Sequence, residues 1–558
     1  MRERELRGLA ASSGVAIGRA LVWRDDEPAT TGTGDPLLAL DAVAADLAKS
    51  AERFRSAGLE DEAEILETSR LMAEDPTLRL EVQRLAAELD PAAALRQATA
   101  LHAEALSKLP DPMLAARATD VRQLGVRAVR ALAGTPMPAA TTGSILIARD
   151  LGPADVADLR LEEATVLGIA LAEGAATSHA AIMARAFGVP MTVGLGEELL
   201  STRDGETMIV DGDDGAVVLD PSTRRLLSAE SQQRRRRELR EERVATRGLP
   251  AITRDGRSVS LLCNASTAAE VTAGLEAGAQ GVGLLRTELA FLAASSWPTE
   301  DEHFAALAPA LAPLRGRVAT VRTLDFGADK TPVFLAGITD RGLTLMLAHP
   351  AELEAQLRAM IRAAEGTQLR ILLPLVESAE QVQTVRALVN DPTVSIGAMI
   401  ETPTAAGNAA EIAAESDFLS IGTNDLVQYT LGLDRERAVA SAATAAEPII
   451  LALIGRVVEA AHVAGKTVEV CGEAAGEAAV AVLLIGLGVD ELSVAPARLD
   501  ELRETVRRLS FAEAAKAAGQ ALAAPSAREA LALAGRLVSS EARHETGQVL
   551  GSLGGAVT

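Results

Sequence analysis

Eight short β-like runs separated by Ala- and Leu-rich stretches fill the chain after residue 257, and a long helical stretch interrupts a set of β segments near the N-terminus. Together they predict a multidomain α/β chain: a small α/β domain interrupted by an all-α helical insert, then a C-terminal (β/α)8 barrel of the TIM type. Length agrees with this, since 558 residues at roughly 150 per domain allow three or four domains and a large buried core.

In chain order, residues 14–23 (GVAIGRALVW) and 144–147 (SILI) read as β segments. So do 206–210 (ETMIV) and 216–219 (AVVL), joined by the turn-rich 211–215. Between the first two, apolar residues recur at helical spacing, as in Leu40, Val43, Leu47 and Val121, Leu124, Ala128, Leu132. Pro76, Pro91, Pro110 and Pro112 punctuate that stretch. The connector SAESQQRRRRELREERVATR (228–247) reads as a solvated helix with Arg/Glu pairs three or four apart rather than as an anion site. The expected boundaries are 1–30 plus 138–227 for the interrupted α/β domain, 31–137 for the insert, 228–249 for the linker helix and 250–558 for the barrel.

The eight barrel runs are SVSLLCN (258–264), GVGLLRTE (281–288), ATVRTLDFG (319–327), RILLPLVE (370–377), IGAMIETP (396–403), DFLSIGTNDL (417–426), TVEVCGE (467–473) and ELSVAP (491–496). Polar residues gather at their C-terminal ends, the ends that all open on one face of such a barrel and build its active site.

Composition narrows the function. Lys plus Arg total 54 against 77 Asp plus Glu, a formal charge of −23, which argues against a nucleic-acid or anionic-membrane binder. With 8 Phe, 2 Trp and 1 Tyr, aromatic base-stacking platforms are not expected. Two cysteines fit a reducing, cytoplasmic setting without a disulfide framework. The apolar run Ala478–Val489 falls short of the roughly 20 residues a membrane span needs, and the charged start MRERELRG indicates no signal peptide.

At the predicted barrel mouth, Glu401 and Asp425 are hard oxygen donors suited to Mg²⁺, which one or two carboxylates plus substrate oxygens hold. Arg286, Arg322, Arg341 and Arg435 are suited to gripping phosphate and carboxylate bidentately. A metal and arginines at one mouth point to a small phosphorylated polyanion. Any single carboxylate–arginine pair reads equally well as a structural salt bridge between strands. Cys471, at a strand end before Gly472-Glu473, either presents a thiol as acid or nucleophile or is a buried small apolar residue. Cys263 reads as the latter. Far away in sequence, Thr177 and Ser178 are good helix caps ahead of His179, and Gly188 with Pro190 ends that helix. His179 is therefore expected in a first helical turn, where free N–H groups favour an anion such as a phosphoryl group.

GAATSHAAIMARAFGVP, GVGLLRTELAFL with PTEDEHF, VRTLDFGADK, IGAMIETPTAA, FLSIGTNDLVQYTLGLDR and VCGEAAGE, in this order, resemble enzyme I of the phosphoenolpyruvate:sugar phosphotransferase system (phosphoenolpyruvate–protein phosphotransferase). The likeness covers nearly the whole chain, including AARATDVRQLGVR (115–127) in the insert. It implies that His179 takes the phosphoryl group of phosphoenolpyruvate and hands it to a histidine of the carrier HPr docked on the insert, releasing pyruvate, as the first step of sugar uptake. It further implies that Glu401 and Asp425 hold Mg²⁺. Arg286, Arg322, Arg341, Asn424 and Arg435 would hold phosphate and carboxylate, and Cys471 would protonate the enolate. A swivel of the phosphohistidine domain between barrel and insert, and a homodimer through the barrel, belong to the same resemblance.

Departures fall at Ala175 and Ala328, where the family usually has glycine, at Thr344, where it often has arginine, and at Thr68-Ser69, where it often has a histidine after a small residue. The rival reading as a pyruvate phosphate dikinase or phosphoenolpyruvate synthase relative lacks a nucleotide-binding domain in 1–140. A sensor that binds phosphoenolpyruvate without turnover would require neither His179 nor Cys471.

Overall fold

The structure, a computed structural model, describes residues 3–23, 34–56, 60–108, 112–135, 143–161, 166–292, 294–327, 331–432 and 442–539. The chain divides into two compact units, Met1–Arg240 and Glu241–Thr558.

The first unit holds an eight-stranded sheet. Its strands are β1 (Arg4–Arg7), β2 (Leu9–Ser12), β3 (Val15–Val22), β4 (Ser144–Ala148), β5 (Gly168–Leu171), β6 (Met191–Val193), β7 (Thr207–Asp211) and β8 (Ala216–Leu219), in the order β1-β8-β7-β3-β4-β5-β6-β2. β3 and β4 pair in parallel, Arg19 opposite Ser144. A parallel neighbour requires a crossover, and here the crossover is the whole helical insert: α1 (Pro36–Ser56), α2 (Glu60–Glu74), α3 (Pro76–Leu85), α4 (Pro91–Ser107) and α5 (Pro112–Ala133). The interruption inferred from the sequence is thus a βαβ unit with an enlarged connection, though both junctions expected for it, near 30 and 137, lie outside the described residues. Pro76, Pro91 and Pro112 each open a helix, where the missing N–H is harmless. Asp75 and Asp90 cap two of those helices, Asp90 by accepting from Ala93 N at 3.0 Å.

The helical face of the sheet and the insert share one apolar core, in which Leu40, Leu47, Leu66 and Leu95 meet Leu146 and Ile169. Each such fully buried side chain contributes roughly 1.5–3 kcal/mol. Ile145, Ile147, Val210 and Val217 fill the opposite face. After α6 (Pro153–Leu161) and α7 (His179–Ala186), the charged connector is helical as expected, α8 (Thr223–Ala245), with only Ala229 buried along it.

The second unit is a closed barrel of eight parallel strands: β9 (Ser260–Ala265), β10 (Gly281–Leu285), β11 (Val318–Arg322), β12 (Gln368–Leu373), β13 (Ser395–Ile400), β14 (Phe418–Ile421), β15 (Thr467–Val470) and β16 (Glu491–Val494). Each overlaps one of the eight predicted runs, with β9, β11, β12 and β13 extending one or two residues beyond it. Side chains alternate along the strands, with a register shift within β10: Val321, Ile371, Ile396 and Val468 point to the surrounding helices, while Leu284, Leu372, Met399, Phe418 and Cys471 fill the barrel axis. Among the described residues no helix is long and apolar enough to cross a membrane.

Candidate active site

The barrel brings Arg322, Arg341, Glu401, Asp425 and Cys471 of the predicted residues together. Arg322 closes β11 and is 8% exposed. Its Nη2 donates to Glu288 Oε1 at 2.6 Å, and Nη1 stands 3.4 Å from Asp325 Oδ2. Burial alone would lower its pKa, but Glu288, Asp325 and Glu401 outweigh that and raise it, so the cation is permanent. Its buried Nε has no hydrogen-bond partner among the described residues. Arg341 reaches the same cluster from the N-cap of the helix Gly342–Ala348, with Nη2 3.4 Å from Asp325 Oδ2 and Nη1 3.7 Å from Asp425 Oδ1. Gly327 makes its approach feasible, because a Cβ there would stand 2.4 Å from Arg341 Cγ. Arg286 follows β10, half-buried, its backbone N–H donating to Ala265 O at 2.9 Å.

Gln356, fully buried, braces these loops. It accepts from Leu324 N at 3.0 Å and donates to Thr287 Oγ1 at 3.2 Å, and Thr287 in turn donates to Arg322 O. Sequence reasoning did not single it out, since a glutamine on a helix carries no local sign of a loop-bracing role.

Glu401, just past β13, is 2% exposed and accepts from Leu375 N at 2.9 Å. Leu375 adopts φ +50, an uncommon conformation for a branched side chain. Burial first, then the carboxylates of Asp425 and Asp325, push the Glu401 carboxyl up to about 8. Gly422 abuts it: a Cβ there would lie 2.8 Å from Oε2. Asp425 and Asn424 stand in the first turn of the helix Thr423–Leu431, Asp425 buried and Asn424 exposed, with Asn424 Oδ1 accepting from Glu473 N at 3.2 Å. Among the described residues no group of three or more His, Cys, Asp or Glu forms a ready metal cage. Two mutually repelling hard-oxygen carboxylates nonetheless suit Mg²⁺, which takes its remaining ligands from water and substrate.

Cys471 is buried on the barrel axis, its Sγ accepting from Ser420 Oγ at 3.3 Å. Burial, and then Glu469, push its thiol up to about 12, so it carries its proton at neutral pH. Cys263 is fully buried among apolar neighbours, also pushed up to about 12 by burial. Arg435 and Ala328 lie outside the described residues.

His179 begins α7, with Ser178 as N-cap accepting from Ala181 N at 3.2 Å. Its Nδ1 stands 2.9 Å from Oδ2 of Asp120, a buried residue of α5. With Nδ1 held, Nε2 is the nitrogen left for chemistry. Asp120 was not picked out from the sequence as a partner, because only the packing of the insert against α7 brings it there.

Three family models match the chain in order: the N-terminal domain of PEP-utilising enzymes over residues 7–117, their mobile domain over 140–215 and their PEP-binding domain over 240–511. A phosphoenolpyruvate-protein phosphotransferase of Streptomyces coelicolor is 38% identical over 573 residues, covering 97% of this chain and 100% of that protein. The chain belongs to the phosphoenolpyruvate-protein phosphotransferase family. Two multiphosphoryl transfer proteins are also similar. That of Xanthomonas campestris pv. campestris is 36% identical across 94% of this chain, and that of Rhodobacter capsulatus 38% across 76%. The chain spans 66% and 54% of their respective lengths. Within the family match, His179 falls in the mobile-domain region, and the arginine and carboxylate cluster falls in the PEP-binding region.

Proposed function

We propose that this chain moves the phosphoryl group of phosphoenolpyruvate onto His179 and then onto a histidine of the carrier HPr, releasing pyruvate, as the first step of sugar uptake. The observation that carries this reading is the barrel mouth. Two buried or half-buried arginines, two facing carboxylates and a protonated thiol meet there, beside a family match that spans all three parts of the chain.

Arg286, Arg322 and Arg341, with Arg435 and Asn424, grip the phosphate and carboxylate of the substrate. Glu401 and Asp425 hold Mg²⁺, which would neutralise charge on the transferring group. Nε2 of His179 attacks phosphorus; the N–P bond forms as the bond from phosphorus to the enol oxygen breaks. Asp120 keeps Nδ1 engaged and stabilises the positive imidazole that results. The enolate then takes the proton of the Cys471 thiol at its methylene carbon, giving pyruvate. The free N–H groups of α7 favour the phosphoryl group on His179.

His179 and the barrel mouth belong to different units, so His179 has to visit the barrel to collect and leave it to deliver. For delivery, the insert carries a groove of about 460 Å³ between α1 and α2, lined by Asp41, Glu52, Glu67 and Glu74 with Arg55 and Arg70. Its acidic lining suits a carrier with a basic docking face. A cytoplasmic homodimer joined through the barrel half completes the proposal.

The test uses labelled phosphoenolpyruvate and Mg²⁺, with and without ATP. Acid-labile, ATP-independent label on the wild-type chain that is absent from His179→Ala is expected. A wild-type chain that takes no label overturns the reading.

A further inference from the structure

Gln356 is a polar side chain in an apolar place. It stands on the helix Pro350–Ala363 with Leu353, Leu357 and Met360, which belong to the apolar core around the barrel, and it is fully buried. Another leucine would serve packing alone, since a buried amide costs free energy unless its hydrogen bonds are made. Its hydrogen bonds run to two different loops of the mouth. Oε1 accepts from Leu324 N at 3.0 Å, in the loop after β11, and Nε2 donates to Thr287 Oγ1 at 3.2 Å, in the loop after β10.

The direction of these bonds is forced. The Leu324 N–H needs an acceptor, which turns the amide oxygen of Gln356 toward it and the NH2 group toward Thr287. The Thr287 hydroxyl, having accepted, sends its own proton to Arg322 O at 3.0 Å. The adjoining residues carry the brace to the charged groups. Thr287 N donates to Glu288 Oε2 at 3.1 Å, and Glu288 Oε1 accepts from Arg322 Nη2 at 2.6 Å. On the other loop, Asp325 follows Leu324 directly and places Oδ2 3.4 Å from both Arg322 Nη1 and Arg341 Nη2. Arg322 is therefore held by its carbonyl and by its guanidinium, and the two carboxylates flanking it belong to the two loops that Gln356 ties together.

We propose that Gln356 is a positioning residue for phosphoenolpyruvate: through Leu324 and Thr287 it sets the spacing of the loops 286–288 and 322–325, and with it the separation and direction of the arginines that grip the substrate. This rests on the reading of the barrel mouth as the phosphoenolpyruvate site. Gln356 is fully buried and acts only through those loops. Bidentate gripping by guanidinium depends on such spacing, and a misplacement of about 1 Å at a reacting site costs on the order of a hundredfold in rate.

Calorimetric titration of phosphoenolpyruvate with Mg²⁺ into the full chain carrying His179→Ala reads binding without transfer. On that parent, Gln356→Met roughly keeps the volume and removes both hydrogen bonds, Thr287→Val removes only the bridging hydroxyl, and Thr287→Ser retains it. Affinity is expected to fall about tenfold in Gln356→Met and in Thr287→Val and to stay at the parent's level in Thr287→Ser. Because the two residues act in one chain of bonds, the double variant is expected to fall within about twofold of either single variant, not by the roughly hundredfold product of independent effects. A double variant that loses the full product overturns the proposal. So does Thr287→Val with a lowered unfolding temperature and the parent's affinity, which would mark a brace serving stability alone. Without ligand, the Leu324 amide loses its acceptor in Gln356→Met and is expected to exchange with D2O about tenfold faster or more; unchanged exchange overturns the brace itself. Should Gln356→Met not fold, Thr287→Val against Thr287→Ser decides. A parent that binds no phosphoenolpyruvate would instead overturn the reading of the site beneath the proposal.

Discussion

At Gly422 a single missing carbon sets the position of a proposed Mg²⁺ ligand. A Cβ would stand 2.7 Å from Glu401 Cγ and 2.8 Å from Oε2, so Gly422→Ala has to push the carboxylate off its place beside Asp425. Calorimetric titration of Mg²⁺ in the presence of phosphoenolpyruvate is expected to show affinity weakened about tenfold, a change of about 1.4 kcal/mol, with the fold retained. Wild-type affinity in that variant would show that Glu401 does not bind the ion. At His179, the contact of Nδ1 with Asp120 leaves Nε2 as the attacking atom. Nitrogen NMR of the phosphorylated chain is therefore expected to report the phosphoryl group on Nε2, and a signal from Nδ1 phosphorylation would contradict this geometry. His179, Glu401 and Cys471 were legible in the sequence because each stands at a strand end or helix start with its own local signal. Asp120 was not, because its partner His179 lies far away in the chain.

Helices and strands carry the next effects. The helix Glu300–Leu311 buries His303 at 1% exposure, its ring edge-on to Phe291 and its Nδ1 without a hydrogen-bond partner among the described residues. Burial lowers its pKa from 6.5 to about 4. The fold therefore holds it neutral where the unfolded chain protonates it. Its contribution is fully present above pH 6.5 and is lost as pH falls toward about 4, up to about 3 kcal/mol in all. Urea unfolding of the barrel between neutral and acid pH is expected to have a shallower pH slope in His303→Leu than in wild type; an equal slope would assign the acid sensitivity to other groups. The short α7 depends on its cap, so Ser178→Ala is expected to cost about 1 kcal/mol of first-unit stability, read by chemical denaturation. Strand prediction succeeded best in the barrel, where every strand overlaps a predicted run, while β5 and β6 of the first unit, with four and three residues all buried, were passed over.

Each of the two units has its own apolar core: one joins the insert to the sheet, the other surrounds the barrel. Scanning calorimetry of the full chain is expected to resolve two transitions, each reproduced by the fragment 1–240 or 241–558 expressed alone. A single transition, or a fragment that does not fold, would show that the units depend on one another. Neither fragment alone is expected to take label from phosphoenolpyruvate, because acceptor and substrate site are divided between them. The amino-acid sequence by itself determined the interrupted first unit, the eight barrel strands and the residues at their C-terminal ends, because hydrophobic period and turn chemistry are local properties. Only the tertiary structure decided that Asp120 holds His179, that Gln356 braces the loops around Arg322, and that Glu469 is buried on the barrel axis beneath Cys471. Charge state and hydrogen-bond partnership depend on distance and burial, and folding sets both between residues far apart in the chain.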